Sequence, residues 1–253
     1  MILGVGQTGL IMILDKRFIS KLRLRNKGTE YPFSIPAIRN LNEIEFSQSV
    51  TYFIGENGSG KSTILEALAV SLGINPEGGN KNTRFSILPT ESSLHDSFEL
   101  IRPGKQVYDT FFLRAETAFN ILIAADKDYQ ENGGLSWATQ GYNQLRARSH
   151  GEFSIDVISN KMNRGIYIFD EPESGLSIDR QYRFLIELSR LIKNGSQAII
   201  ATHSPIILSF PDSLIYSLSE SGANLIKFES SDPYIKMKQF INHKNIVINE
   251  LLQ

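Results

Sequence analysis

The chain contains no cysteine among its 253 residues. This absence excludes disulfides, thiolate metal sites and thiol catalysis, and it fits a reducing compartment, so we expect a cytoplasmic protein. No stretch approaches the roughly 18 consecutive apolar residues that cross a bilayer, and we therefore expect no direct membrane insertion. Residues 1–14 are apolar but are interrupted by Gly4, Gly6 and Gly9 and lack a basic start, so we expect no signal peptide.

The chain also lacks a strong excess of charge of either sign, since its formal net charge is -1. No overall attraction to nucleic acid follows from this balance, although a local patch can escape the average. The densest basic stretch contains Lys21, Arg23 and Arg25, which alternate with leucines. This alternation favours the solvated face of an edge strand over a phosphate-binding surface.

What the chain does have is enough apolar sequence, 41% of its residues, to bury a sizeable core in one large or two small domains. Apolar runs predict strands at 18–24, 44–46, 50–54, 97–101, 107–113, 166–169, 198–202 and 214–218. Apolar stripes at helical spacing predict helices at 61–72 and 177–194, each followed by a glycine. Helices predicted at 116–127 and 149–162 lie between these two blocks, which indicates an α/β core with a helical insert.

The segment from Gly55 to Ser62 reads Gly-Glu-Asn-Gly-Ser-Gly-Lys-Ser and completes the pattern G-x-x-x-x-G-K-[ST]. It follows a predicted strand and opens a predicted helix, where backbone N–H groups and the helix dipole favour phosphate. Lys61 would then reach the β- and γ-phosphates, and the Ser62 hydroxyl would ligate Mg²⁺. A simple turn needs neither side chain, so the pattern predicts nucleotide binding. The candidate binding residues are Gly55, Glu56, Asn57, Gly58, Ser59, Gly60, Lys61, Ser62 and Thr63.

An apolar strand at 165–169 ends in the adjacent carboxylates Asp170 and Glu171, followed by Pro172. Buried strands seldom end in two acids, and proline cannot continue a central ladder. Asp170 is placed to hold Mg²⁺ and Glu171 to act as general base on the attacking water. The alternative interpretation is an acidic pair that caps a helix.

The predicted strand at 198–202 is followed by His203. A lone histidine at a strand end is commonly structural. Here, however, the carboxyl ends of parallel strands meet at one edge of a sheet, and His203 would lie at the same edge as the glycine-rich loop and Asp170. The order of motifs therefore favours a sensor of the γ-phosphate at His203.

Taken together, these motifs resemble those of ATP-binding-cassette (ABC) type ATPases, in the soluble branch related to chromosome-maintenance and recombination-repair ATPases. Residues 55–63 resemble the Walker A motif, 166–171 the Walker B motif with its catalytic glutamate, 174–177 the D-loop, and His203 the switch histidine. The resemblance implies a P-loop NTPase fold with a mixed central sheet flanked by helices and a small helical lobe between Walker A and Walker B. It implies one domain over 1–253, with a core at about 18–115 and 164–230, a lobe at about 116–163 and a C-terminal helix at about 231–253.

The candidate for the family's signature motif is Ser149-His-Gly-Glu152, in which His150 departs from the family pattern. The resemblance implies that Ser149, Gly151 and Glu152 contact ATP bound by a second subunit, at a helix N-terminus suited to anions. The same residues fit an ordinary helix start, with Ser149 as N-cap and Glu152 as its capping-box partner. Both interpretations remain open from the sequence.

A second departure concerns the family's Q-loop, where a glutamine helps to ligate Mg²⁺. Gln106 precedes the strand predicted at 107–113 and lies at its wrong end. Glu116 is the substitute candidate for the metal, and Arg114 a candidate partner of phosphate or carboxylate. For the adenine, Tyr31 and Phe33 are the nearest aromatic residues upstream of Walker A, although packing in the core or on the surface is the favoured interpretation for each.

The leading functional hypothesis is an ATP-driven switch, in which two subunits enclose ATP and hydrolysis by Glu171 releases them. An ATP-dependent homodimer, an unidentified protein partner, ATP and Mg²⁺ are thus expected, and nucleic acid remains open as a partner. The alternative is the nucleotide-binding subunit of a membrane transporter, against which the missing glutamine and the altered signature count. A small-molecule kinase would require neither the signature nor a glutamate after the Walker B aspartate.

Overall fold

The computed structural model describes residues 17–79, 92–104, 107, 109–114, 155, 157–159 and 162–252. Its strands and helices are, in chain order, β1 (Lys21–Leu24), α1 (Pro36–Arg39), β2 (Glu43–Glu45), β3 (Val50–Ile54), α2 (Lys61–Ser71), β4 (Phe98–Ile101), β5 (Asp109–Arg114), β6 (Gly165–Asp170), α3 (Ile178–Lys193), β7 (Gln197–Ala201), α4 (Pro205–Leu208), β8 (Ser213–Ser219), β9 (Gly222–Ile226) and α5 (Asp232–Leu251). Short 3-10 helices cover Ser93–Ser97 and Phe228–Ser230. Residues 155 and 157–159 are also helical, within the helix predicted at 149–162.

A six-stranded sheet with the order β5-β6-β7-β3-β8-β9 forms the centre of the protein. Its first five strands run parallel, and β9 pairs with β8 in the antiparallel direction. β3, β6 and β7 are buried at every residue, as expected for parallel strands that are covered on both faces. This mixed sheet with flanking helices confirms the predicted α/β fold class.

Alternate residues of the central strands point into two separate cores. Phe53, Ile168 and Ile199 pack on one face with the apolar residues of α1, α2 and β1. Tyr52, Phe169 and Ile200 pack on the other face with those of α3 and α4. Because side chains alternate between the two faces of a strand, each face of the central sheet is covered by its own apolar core. The fold therefore has three layers, with the central sheet in the middle and helices packed on each face.

A second sheet of three antiparallel strands, in the order β2-β1-β4, lies on the α2 side. The interpretation of the basic stretch as an edge strand is wrong, because β1 is the central strand of this sheet. Its lysine and arginine still lie on the solvated face, as expected. They pair with acids on the neighbouring strands, and Arg23 Nε lies 2.7 Å from Glu43 Oε2. Arg25 Nη2, just beyond β1, lies 2.6 Å from Glu99 Oε2.

The strand predicted at 18–24 begins only at Lys21, and the first two predicted residues, Phe18 and Ile19, bond to a side chain instead of a strand. The amide Oε1 of Gln197 accepts hydrogen bonds from the backbone N–H groups of Phe18 and Ile19, both at 2.9 Å. Its Nε2 donates to the carbonyl oxygen of Ile19 at 2.9 Å. Gln197, which is 1% exposed, therefore joins the small sheet to β7 of the central sheet.

Among the strands and α-helices named above, three have no counterpart among the sequence predictions: β9, α1 and α4. β9 is an edge strand with only one buried residue, so its burial pattern carries little strand signal. α1 and α4 each span four residues, which is too short for a helical stripe of apolar residues.

In the ranges given above, no helix has both the length and the apolar character needed to cross a membrane.

We expect Gln197→Leu to destabilise the protein by roughly 3 to 5 kcal/mol, because it leaves two buried N–H groups and one buried carbonyl without partners. Chemical denaturation monitored by circular dichroism measures this change. Gln239→Leu on the exposed face of α5 is the matched control and should have little effect. Equal stability of the two variants would contradict the linking role of Gln197.

Candidate functional site

The candidate site lies at the carboxyl edge of three adjacent strands, where β7 separates β3 from β6. The glycine-rich loop 55–60 follows β3, Asp170 ends β6, and His203 follows β7 by two residues. Because all three strands run parallel, their ends meet at one edge, as the sequence predicts.

Glycine is required in the loop on steric and conformational grounds. A Cβ at Gly55 would lie 2.8 Å from the carbonyl oxygen of Leu218, a backbone atom that cannot move away freely. Gly60 has φ +96°, and a Cβ there would lie 3.0 Å from Ile38 Cδ1. The loop thus adopts a backbone conformation that L side chains rarely adopt, and it leads directly into the first turn of α2.

Lys61 folds back over the loop that precedes it. Its Nζ donates to the carbonyl oxygens of Gly55 at 2.8 Å and Glu56 at 3.0 Å, and the residue is only 5% exposed. Burial lowers the pKa of Lys61, whereas nearby carboxylates act to raise it. Those carboxylates belong to Glu171, Asp170 and Glu173. The site therefore holds a buried cation close to three acidic side chains.

The Walker A and Walker B candidates meet directly, since Ser62 Oγ donates to Asp170 Oδ1 at 3.2 Å. Asp170 is 6% exposed and pairs across the sheet with Arg114, the last residue of β5. Arg114 Nε lies 3.8 Å from Asp170 Oδ2, and Arg114 Nη1 lies 3.4 Å from Glu66 Oε2. Arg114 is thus a carboxylate partner in this structure, one of the two roles considered for it.

Glu171 and His203 face each other beyond the ends of β6 and β7. Glu171 Oε1 lies 3.7 Å from His203 Nε2, and both side chains are about two-fifths exposed, at 42% and 41%. Glu171 has φ +50°, which is uncommon for a residue with a side chain and is found at functional turns. Its N–H donates to the carbonyl oxygen of Ala201 at 3.0 Å, so the turn after β6 is fixed to the end of β7.

Sequence reasoning missed Glu173, which contacts the turn that carries His203. Glu173 Oε1 accepts hydrogen bonds from the backbone N–H groups of His203 at 2.6 Å and Ser204 at 3.1 Å. The only sequence signal for a role of Glu173 was its position two residues after Glu171. Carboxylates are common in polar loops, so this position does not predict which backbone groups the side chain binds. Gln181 of α3 was missed in the same way, and it accepts a hydrogen bond from Ser204 Oγ at 2.6 Å.

The residues that the structure brings together fit a phosphate group and a divalent cation. A hydroxyl and a carboxylate, from Ser62 and Asp170, are the oxygen ligands that Mg²⁺ prefers. In the loop, Ser59 Oγ is buried and has no hydrogen-bond partner among the described residues, as expected of a group that awaits a ligand. The chemistry of the donors therefore matches the predicted nucleotide and metal.

Several sequence predictions for the site fall outside the described residues. These are the signature candidates Ser149, Gly151 and Glu152, the metal candidate Glu116, and Gln106. They remain predictions.

The two aromatic candidates for adenine lie elsewhere than the loop. Phe33 is 7% exposed in the core, as favoured from the sequence, and Tyr31 is 62% exposed. A cavity of about 420 Å³ beside the loop is lined in part by Ile35, Pro36 and Ala37.

Comparison with known proteins places the chain in a family. The AAA_23 family, described as an AAA domain, matches residues 32–252. The chain is 25% identical over 202 residues to the ABC transporter G family member 1 of Dictyostelium discoideum, an alignment covering 73% of this chain and 25% of that protein. It is 27% identical over 137 residues to the UvrABC system protein A of Staphylococcus epidermidis, covering 50% of this chain and 14% of that protein.

A search of solved structures finds cbiO1 from Clostridium perfringens, part of the ABC transporter complex cbiONQ. The two share 15% identity at a TM-score of 0.48, with 90% of this chain and 97% of that chain covered. The chain spans a quarter or less of the length of the two relatives named above. By this family match, the chain belongs to the AAA_23 family of AAA domains.

Proposed function

We propose that this protein is an ABC-type P-loop ATPase that acts as an ATP-gated dimerisation switch, which closes on ATP, opens after hydrolysis and transmits the change to a protein partner. One observation supports it above the others. Lys61, Asp170, Glu171 and His203 lie at one sheet edge, with Ser62 Oγ 3.2 Å from Asp170 and His203 Nε2 3.7 Å from Glu171. These groups supply charge, a metal ligand, a base and a sensor in one place.

The side chains divide the work of hydrolysis according to their chemistry. Lys61, which now donates to carbonyl oxygens of the loop, would donate to the phosphates, and Ser62 and Asp170 would hold the metal. Mg²⁺, when bound, neutralises charge on the phosphate oxygens. Glu171, which is partly exposed and so accessible to water, takes the proton from the attacking water. His203 stands beside Glu171, where it can contact the γ-phosphate.

The case for a dimer comes from what this edge leaves uncovered. Glu171 and His203 remain two-fifths exposed, although transition-state charge is best stabilised where water is excluded. A second subunit would cover this face and bring its own Ser149, Gly151 and Glu152 to the γ-phosphate. Because bound nucleotide forms part of the interface, the dimer should be weak without ATP.

The partner of the switch is proposed to be a protein in the cytoplasm. The basic residues of β1 and the residue beyond it are paired with acids, which leaves them less free to bind phosphate groups. Nucleic acid therefore remains a partner to be tested and not the primary proposal.

A second candidate function is the nucleotide-binding subunit of a membrane transporter. The similarity to the ABC transporter G family member 1 favours it. The two functions differ in their partner, so purification of the native complex in mild detergent distinguishes them. Recovery of a membrane-spanning protein in fixed ratio to the chain would favour the transporter subunit.

Lys61→Ala should abolish detectable ATP binding, because the backbone N–H groups alone cannot balance the charge of the phosphates. Isothermal titration calorimetry with Mg²⁺-ATP measures the affinity, and circular dichroism checks the fold. Lys193→Ala, at the exposed end of α3, removes the same charge away from the site and should bind normally. Unchanged affinity in Lys61→Ala would contradict the assignment of the loop.

Glu171→Gln should keep ATP binding and slow hydrolysis by about 10²- to 10⁴-fold, because the amide has the same shape but cannot take a proton. Phosphate release under single-turnover conditions measures the rate. The exposed Glu229→Gln variant serves as the control and should hydrolyse ATP like the wild type. Wild-type turnover in Glu171→Gln would show that another group activates the water.

The Glu171→Gln protein should dimerise in saturating Mg²⁺-ATP, and adding Ser149→Arg should prevent this while ATP still binds. Light scattering at micromolar concentration measures the mass. If Ser149 only caps a helix, Ser149→Arg would instead cost about 1 kcal/mol of stability and leave the dimer intact. A Glu171→Gln protein that binds ATP as a monomer would contradict the switch.

The single variants Ser149→Arg and Lys61→Ala should each be inactive, and mixing them should restore part of the activity. In the mixed dimer, one composite site combines the intact loop of the first subunit with the intact signature of the second. Activity that stays absent on mixing, although the mixed dimer forms, would show that Ser149 does not act across the interface.

A further inference from the structure

Glu173 holds the backbone of His203 more closely than any other described contact does. Its Oε1 accepts the N–H of His203 at 2.6 Å and the N–H of Ser204 at 3.1 Å, so one carboxylate oxygen fixes two consecutive backbone groups. Both bonds involve a charged acceptor, which makes them stronger than ordinary backbone bonds. The turn after β7 thus depends on a side chain that follows β6.

This contact fixes the backbone from which the imidazole of His203 extends. His203 lies two residues beyond the end of β7, outside the sheet's ladder of hydrogen bonds, and its side chain is 41% exposed. The N–H of Ser204 also bonds to Thr202 Oγ1 at 3.0 Å, whereas Glu173 is the acceptor that the structure gives for the N–H of His203. With its N–H held by Glu173, His203 presents Nε2 to Glu171 Oε1 at 3.7 Å.

The bonds of Glu173 also argue against a role as a second base. Its Oε1 is already occupied by two N–H groups, and its Oε2 is buried, with no hydrogen-bond partner in the described part of the chain. A buried oxygen away from solvent cannot readily take a proton from water. Glu171, whose side chain is 42% exposed, is the better placed of the two.

A short network extends from this contact to the D-loop candidate at 174–177. Ser204 Oγ donates to Gln181 Oε1 at 2.6 Å, and Gln181 Nε2 donates to the carbonyl oxygen of Leu176 at 3.3 Å. Ser204 Oγ also accepts the N–H groups of Ile206 and Ile207, which begins α4. The loops after β6 and β7 are therefore joined at both Glu173 and Ser204.

We propose that Glu173 is a positioning residue for His203: its carboxylate fixes the 203–204 turn so that the imidazole faces Glu171 and the γ-phosphate. This inference rests on the roles proposed above for Glu171 and His203 in hydrolysis. Glu173 acts through the backbone N–H groups of His203 and Ser204. Its acceptor oxygen matters, and its charge is secondary.

Steady-state ATP hydrolysis by the full chain tests the proposal. Glu173→Ala should lower kcat by about 10- to 100-fold, as expected when a group near the chemistry loses its position, with KM for ATP little changed. Glu173→Gln should stay within roughly 3-fold of the wild type, because an amide oxygen still accepts both N–H groups. The exposed Glu229→Ala variant is the control for loss of a carboxylate elsewhere.

A double-mutant cycle with His203 separates positioning from general support of the fold. Glu173→Ala added to His203→Ala should lower kcat no further than His203→Ala alone, because the positioned group is already absent. Additive losses would overturn the proposal, as would wild-type kcat in Glu173→Ala. If Glu173→Ala does not fold, Glu173→Asp, which is one methylene shorter, should lose kcat where Glu173→Gln does not.

The outcomes also separate this inference from the proposed function. Wild-type turnover in Glu171→Gln would overturn the function itself. Loss of turnover in Glu171→Gln together with equal losses in Glu173→Gln and Glu173→Ala would overturn only the positioning role, since the charge would then be what matters.

Discussion

The parallel pairing of β7 between β3 and β6 is the constraint on which the rest of the structure depends. Parallel strands need crossover connections, and these bring every strand back in the same direction, so the three carboxyl ends meet at one edge. Residues more than a hundred positions apart in the chain, such as Ser62 and Asp170, therefore come within 3.2 Å. Because these strands are buried on both faces, the polar side chains of the candidate site lie at or beyond the carboxyl ends of the strands.

Electrostatic balance at that edge favours a bound phosphate. Burial works against the charge of Lys61 and lowers its pKa, while the carboxylates around it favour that charge. Lys61 meanwhile satisfies its donors with the loop's own carbonyl oxygens. A nucleotide phosphate offers the same lysine a full negative charge, and the carboxylate of Asp170 lies ready for the accompanying metal. In the proposed function, the phosphates of ATP would replace these carbonyl oxygens as acceptors for Lys61.

The loops beyond β6 and β7 show how the edge is made rigid without further strands. The N–H of Glu171 is bonded to Ala201 at the end of β7, and the N–H of His203 is bonded to Glu173 in the loop after β6, so the two loops are tied to the same part of the sheet edge and, through Glu173, to each other. Side chains on loops need such support to hold a fixed position, because a loop lacks the ladder of a sheet. Gln197 plays a comparable part at the opposite end of β7, where it holds the lead-in to the small sheet.

Local sequence signals were enough to predict the loop before α2, the acidic pair at the end of β6, the helices α2 and α3, and the fold class. They were enough because glycine conformations, apolar periodicity and strand-to-helix order depend only on near neighbours. Tertiary structure alone decided which residues meet across the fold. It made β1 a central strand where an edge strand was expected, set Arg114 beside Asp170, and gave Glu173 its partner at His203. Hydrogen bonds between loops distant in the chain leave no periodic trace, and only the packed sheet brings their ends together.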